Sequence, residues 1–154
     1  MSLVQQLQAS KEFFDRSTRC LTEDDSGFAP AEGLWTVAQQ VAHIAQTVDW
    51  LIDGGFGSGF DMNFEKHARE TAQVTSLADA RARLERAYQR AIDTVTTKSE
   101  AELAEALPEN PFMKGPRCSV IEGVIDHTAH HRGALTVYSR LRGHTPAMPY
   151  GEGF

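Results

Sequence analysis

Three of the six histidines in this chain stand within five positions, in the stretch DHTAHHRG at residues 126–133. Imidazole nitrogens bind divalent transition metals, and they also exchange protons near neutral pH. A cluster of this kind therefore predicts a metal site or an acid–base site, unless it is only the polar face of a helix. The direction in which each histidine points decides between these readings.

The hydrophobic spacing predicts a helix over residues 120–142, and its geometry separates the three histidines. With a rotation of about 100° per residue, His127 and His131 fall within about 20° of the centre of the apolar stripe, whereas His130 lies on its flank. His127 and His131 can therefore reach one cation together. The candidates for supporting the ligands from beside them are His130, Asp126 and Arg132.

Two histidines alone hold a metal weakly, so a third ligand is expected from a facing helix. His43 meets this requirement because it lies midway along a second predicted helix, directly before Ile44 and beside an aliphatic stripe. Three histidines would leave one position of a tetrahedral site open to water or substrate. From the residues alone, a closed structural site and a metal-free core of hydrogen-bonded histidines stay open as alternatives.

Several other chemistries are excluded by spacing. A zincin protease needs a glutamate where Thr128 stands, and the repeated Glu-x-x-His motifs of a di-iron bundle are absent from the sequence. The stretch DGGFGSGF, with its glycines at 54–59, lacks the spacing of a phosphate loop and is interpreted as the end of the second helix and a hinge. Cys20 and Cys118 are interpreted as reduced thiols.

Four amphipathic helices of about 20 residues must position these side chains. They are predicted at about 2–22, from Thr36 past Leu51, at 77–97 and at 120–142, with short helical segments near 62–70 and after Ser99. Capping boxes are predicted at Thr36 with Gln39 and at Ser119 with Glu122. The sequence shows no strand-like alternation of apolar and polar residues. It therefore predicts an all-α four-helix bundle that forms a single domain over residues 1–154, with long inter-helix connections.

Composition limits the partners. A formal net charge of −6 argues against nucleic acid, and the absence of a long apolar run argues against a membrane-spanning segment. The N-terminal residues lack a secretory signal pattern, so a cytoplasmic location is predicted. A bundle of this size is compatible with a homodimer. His67 and His144 fall near predicted loops and are interpreted as surface residues.

Two motifs resemble the DinB-like, YfiT-like superfamily of four-helix bundles. The segment LWTVAQQVAHIAQT at 34–47 resembles the family's second helix, and DHTAHHRGAL at 126–135 resembles its signature H-x-x-H-H-R-G-Q. The resemblance implies that His43, His127 and His131 bind a divalent metal ion. Ala134 stands where many members have glutamine.

Characterised members of that superfamily include bacillithiol S-transferases and a mycothiol-dependent maleylpyruvate isomerase. The resemblance therefore implies a metal-dependent transferase or isomerase that joins a small-molecule thiol to an electrophilic substrate, with a non-catalytic metal-binding stress-response module as the alternative. Zinc or nickel is the first expectation for the metal, and iron the second. Trp35 and Trp50 are candidates for substrate contacts, and no catalytic base is identified.

Overall fold

The computed structural model describes residues 1–151. Its helices are α1 (Leu3–Thr18), α2 (Val37–Phe56), α3 (Phe64–Ala72), α4 (Leu77–Thr96), α5 (Glu100–Ala104) and α6 (Ser119–Leu141), with a 3-10 turn at Glu23–Asp25. Over this range the only β pairing is an isolated bridge between Ala106 and Pro116. The predicted all-α class is confirmed. None of the described helices combines the length and apolarity needed to cross a membrane.

The four long helices α1, α2, α4 and α6 form one bundle. Helix α2 packs mainly against α4 and α6, and α1 packs mainly against the same two helices. The order around the bundle is therefore α1, α4, α2, α6, with α1 and α2 on a diagonal. The predicted long connections are confirmed: residues 57–76 carry α3, and residues 97–118 carry α5.

The helix starts depend on their side-chain caps, with one exception. Thr36 and Gln39 form the predicted capping box of α2. The box predicted at Ser119 is wrong, because Cys118 occupies the cap position and makes no side-chain cap bond. Directly before α6, the Arg117 N–H donates a hydrogen bond to the Glu105 carbonyl, and the Cys118 N–H donates one to the Leu103 carbonyl. These bonds anchor the start of α6 without a side-chain cap.

The glycine-rich stretch does not end α2 where the sequence predicted. The helix continues through Gly54 and Gly55 to Phe56, so a hinge at the glycine pair is wrong. A Cβ added at Gly54 would lie 2.2 Å from the ring of Phe60, and one at Gly55 would lie 2.9 Å from a methyl of Val120. The two glycines therefore admit close neighbours instead of breaking the helix.

Gly55→Ala is expected to destabilise the protein by about 1–2 kcal/mol. The new methyl group would meet the fully buried Val120, and overpacking of about 1–3 kcal/mol outweighs the gain of up to about 1 kcal/mol in helix propensity. Thermal unfolding should show a melting temperature lower by about 2–8 °C. Gly133→Ala is the matched control, because no atom approaches within 4 Å of its added Cβ and the variant should be neutral or more stable. Equal stabilisation by both alanines would contradict the close approach.

A buried carboxylate ties the end of the chain to the 3-10 turn. Asp25 accepts hydrogen bonds from Arg142 Nε at 2.8 Å and the Thr22 N–H at 2.9 Å, and its Oδ2 lies 3.0 Å from His144 Nε2. His144, predicted to be a surface residue, is partly exposed and is paired with Asp25. Residues 144–151 are irregular, as expected, and residues 152–154 of the predicted irregular tail lie outside the described range.

This carboxylate predicts a loss of stability in acid. Burial raises the pKa of Asp25, but the hydrogen bonds from Thr22, Arg142 and His144 outweigh burial and hold the pKa at about 2, below the ordinary 3.8. A folded pKa below the unfolded one contributes stability above about pH 4 that is lost as the pH falls toward 2. Urea unfolding of Asp25→Asn should show a deficit of about 2 kcal/mol at neutral pH that closes near pH 2. A deficit that does not change with pH would contradict the ion pair.

Candidate metal centre

The candidate site lies between α2 and α6, which run antiparallel. Their contacts progress in opposite directions along the two helices, from Gly55 against Val120, through Leu51 against Gly123, to Gln40 against His131. This arrangement places His43 across from His127 and His131. The sequence motifs lie 84 residues apart at His43 and His127, yet packing of α2 on α6 brings them into contact.

Three imidazole nitrogens converge in this interface. The Nε2 of His127 lies 3.1 Å from Nε2 of His43 and 3.2 Å from Nε2 of His131. Ligand nitrogens at about 2.0–2.1 Å from one tetrahedral ion would be separated by about 3.3 Å. The three candidate ligand atoms all lie within 4.8 Å of one another. Their spacing therefore suits a single divalent cation.

Gln40 determines which nitrogen of His131 carries the proton. The Tyr138 hydroxyl donates to the Trp35 carbonyl at 3.1 Å, so its oxygen accepts from the Gln40 amide nitrogen at 3.4 Å. That contact turns the amide oxygen of Gln40 toward His131, whose Nδ1 lies 2.5 Å away and must be the donor. In the neutral ring the proton is then on Nδ1, and Nε2 presents a lone pair to the other two histidines.

Hydrogen bonding among the three rings cannot satisfy them all. The Nε2 of His127 faces two imidazole nitrogens, and a single N–H can donate to only one of them. The Nδ1 of His127 is buried and has no hydrogen-bond partner among the described residues. A cation that accepts all three Nε2 lone pairs removes the conflict at the centre. The cluster therefore suggests a divalent metal site rather than a hydrogen-bonded core.

Burial also keeps the three imidazoles neutral. It lowers the pKa of His43 to about 4 and that of His127 to about 4, with the nearby His130 adding to both effects. Burial lowers the pKa of His131 to about 3, helped by the charges of the neighbouring histidines. Neutral imidazoles are the form that binds a metal, so the three rings are ready to bind one at physiological pH.

The three supporting candidates occupy different places. His130 is exposed, with its ring centre 4.9 Å from that of His131, so it stands beside the cluster as expected. Asp126 is also exposed, and its charge partly counteracts the lowering of the His127 pKa. Arg132 lies elsewhere, because its contacts are with Tyr150 and Phe13 on the α1 side of α6. Among the described residues, no contact between Arg132 and the three histidines supports the expectation that it positions them.

A pocket of about 180 Å³ opens beside His43. The ring of Trp35 lies 4.2 Å from that of His43, and Trp50 forms another wall, so both predicted tryptophans lie at this pocket. Helix α3 contributes Phe64 and His67 to the lining. His67, interpreted as a surface residue, is only partly exposed, with 14% of its side chain accessible. The pocket surface is mainly apolar and reaches solvent, and it lies next to the candidate ligand His43.

Sequence reasoning missed Gln40 and the α3 residues. Gln40 lies one helical turn before His43, among apolar residues of α2, and a buried amide in that position signals a hydrogen-bond partner of a candidate ligand. The contributions of Phe64 and His67 depend on how residues 57–76 fold back over α2, and no spacing in the sequence signals that.

The fold and these three inward histidines define a helical bundle with a candidate metal centre between two of its helices. The chain belongs to the DinB family, whose sequence profile matches residues 1–154. The matching solved structures include a DinB-like protein of Bacillus cereus, with a TM-score of 0.76, 20% identity and coverage of 94% of this chain and 93% of that one. The DinB-like protein YjoA of Bacillus subtilis matches with a TM-score of 0.69, 18% identity and 94% coverage of both chains.

A third solved structure is a mycothiol-dependent maleylpyruvate isomerase. It matches with a TM-score of 0.67 and 14% identity over 88% of this chain, which spans 61% of that protein. At these identities the likeness shows a shared fold. No curated protein sequence matches the chain.

Proposed function

We propose that this protein is a divalent-metal-dependent transferase or isomerase that uses a low-molecular-weight thiol. The observation that carries the proposal is the mainly apolar pocket beside His43, next to three nitrogens spaced for one cation. A purely structural metal site is closed by a fourth protein ligand, whereas a catalytic site keeps an open position. The described residues offer three candidate ligands and a cavity.

His43, His127 and His131 would hold the ion. A divalent cation bound there supplies Lewis acidity, which favours the reactive thiolate form of a thiol. Gln40 keeps the proton of His131 on Nδ1, so that Nε2 faces the centre. Zinc or nickel is the proposed metal and iron the second choice, since imidazole ligands suit all three.

The pocket walls would hold the electrophile. Trp35 and Trp50 present flat apolar surfaces beside His43, and Trp50 is fixed by a hydrogen bond from its Nε1 to the Asp61 carbonyl at 2.8 Å. Rings of this kind bind planar or unsaturated groups and exclude water from the reacting atoms. The mycothiol-dependent isomerase among the structural neighbours supports a thiol as the second reactant.

The test combines metal analysis with a thiol panel. The purified protein should carry about one metal ion per chain and should accelerate the reaction of at least one thiol with monochlorobimane, and chelation should abolish the acceleration. Trp50→Ala is expected to keep the metal and to raise the KM for the electrophile, because it opens the pocket without touching a ligand. Stoichiometric metal without metal-dependent turnover with any thiol would overturn the enzyme proposal and favour a non-catalytic metal-binding module.

A further inference from the structure

A second cavity, of about 240 Å³, lies between α1 and α6 on the side of α6 that faces away from α2. We propose that it binds a small amphipathic carboxylate, independently of the metal centre. Its lining is largely apolar and includes Ala9, Ser10, Phe13, Ile125, Thr128 and Arg132. It shares no lining residue with the pocket beside His43.

The first argument is an unneutralised cation. Arg132 is half-buried, and its guanidinium stacks 5.9 Å from the centre of the Phe13 ring and 5.6 Å from that of Tyr150. Its hydrogen bond is to the Tyr150 hydroxyl at 3.3 Å, and no carboxylate within residues 1–151 pairs with it. A partly desolvated guanidinium of this kind favours a bidentate anion such as a carboxylate.

The second argument is a hydroxyl hydrogen without an acceptor. The Tyr88 hydroxyl donates to the Thr128 hydroxyl at 2.8 Å, so in its 3.0 Å contact with Ser10 it must accept. The hydroxyl hydrogens of Ser10 and Tyr88 then both have acceptors. The hydroxyl hydrogen of Thr128 has no acceptor in the part of the chain described. Thr128 is 1% exposed and lines the cavity, so a ligand oxygen there would receive this hydrogen bond.

The two donors act from the same side. Thr128 and Arg132 are four residues apart on α6 and therefore lie one turn above the other on one face. The remaining walls, formed by Ala9, Phe13 and Ile125, offer apolar surface for the body of the ligand. Since a cavity of about 150 Å³ accommodates benzene, this one suits about ten non-hydrogen atoms. Phenylacetate has that size and chemistry and serves as the probe.

The experiment is a titration of the full-length protein with phenylacetate, followed by protein NMR. Saturable binding in the millimolar range or tighter is expected, with shifts in α1 and α6 around Phe13 and Thr128. The neutral amide of the probe should bind about tenfold more weakly, and Arg132→Gln should weaken phenylacetate binding by about the same factor. Ala129→Phe, which fills the cavity from its exposed rim, should abolish binding without changing metal content.

Phenylacetate could also reach an open metal position, so His131→Ala is included as a control. Binding that survives in His131→Ala and disappears in Ala129→Phe supports the proposal, whatever becomes of the enzyme proposal. Binding lost in His131→Ala but kept in Ala129→Phe would overturn it. So would an absence of binding combined with a dimer that Ala129→Arg converts to monomers, since a second copy would then cover the cavity.

Discussion

His131→Ala is expected to weaken metal binding by about 100-fold or more. Four-ligand zinc sites contribute about 10–16 kcal/mol of binding free energy, or about 3 kcal/mol per ligand, and the remaining two histidines cannot enclose an ion. Metal analysis after gel filtration should fall from about one ion per chain to a small fraction of that. Bound metal stabilises only the folded state, so adding metal at 100 times Kd should raise the melting temperature of the unmodified protein by about 5–10 °C. This rise should disappear in His131→Ala.

His130→Ala is the matched control for this variant. It removes an imidazole from the adjacent position, but His130 is exposed and does not belong to the converging set. Its metal content and melting temperature should stay close to those of the unmodified protein. Equal losses in His130→Ala and His131→Ala would show that the metal binds elsewhere on α6.

Gln40→Leu is expected to weaken metal binding by about 10–100-fold while leaving all three histidines in place. Leucine has a similar volume but cannot accept a hydrogen bond from Nδ1 of His131. The ring therefore loses the contact that holds its Nε2 toward the centre. Metal competition with a chromophoric chelator measures the affinity directly. A purely structural role for Gln40 would lower the melting temperature of the metal-free protein without changing this affinity.

Two further variants separate the parts of this network. Gln40→Glu keeps an acceptor beside Nδ1 and should retain or strengthen metal binding, because a carboxylate makes the imidazole a better donor to the metal. Tyr138→Phe removes the hydroxyl that orients the amide, so its effect should lie between those of Gln40→Leu and the unmodified protein. Unchanged affinity in Gln40→Leu would mean that His131 is oriented by packing alone.

Helical periodicity was enough to find most of the fold. Local spacing predicts the long helices, the capping box at Thr36 and the all-α class. It does so because these features depend on short-range hydrogen bonds and on one apolar face per helix. The failures were places where a distant contact decides the local structure. Gly54 and Gly55 stay helical with Phe60 and Val120 packed closely against them, and the sequence near Gly55 does not signal its contact with Val120.

The candidate site divides in the same way. His127 and His131 could be placed by counting around one helix, and His43 by its position on another. The same counting turns Arg132 about 100° away from His131, but its contact with Phe13 of α1 depends on helix packing that the sequence does not show. The partnership of Gln40 with His131 joins positions 91 residues apart, and only the packing of α2 on α6 establishes it.

The contribution of the α2–α4 connection to the pocket wall has an evolutionary consequence. The three candidate ligand histidines and Gln40 all belong to α2 and α6, whereas Phe64, His67 and Ala68 come from the connection at residues 57–76. Part of the pocket wall is thus encoded apart from the candidate ligands, although Trp50 shares α2 with His43. We expect that exchanging this connection between relatives would change which electrophile is accepted while leaving the metal affinity intact, so the bundle can diversify its substrates without rebuilding its centre.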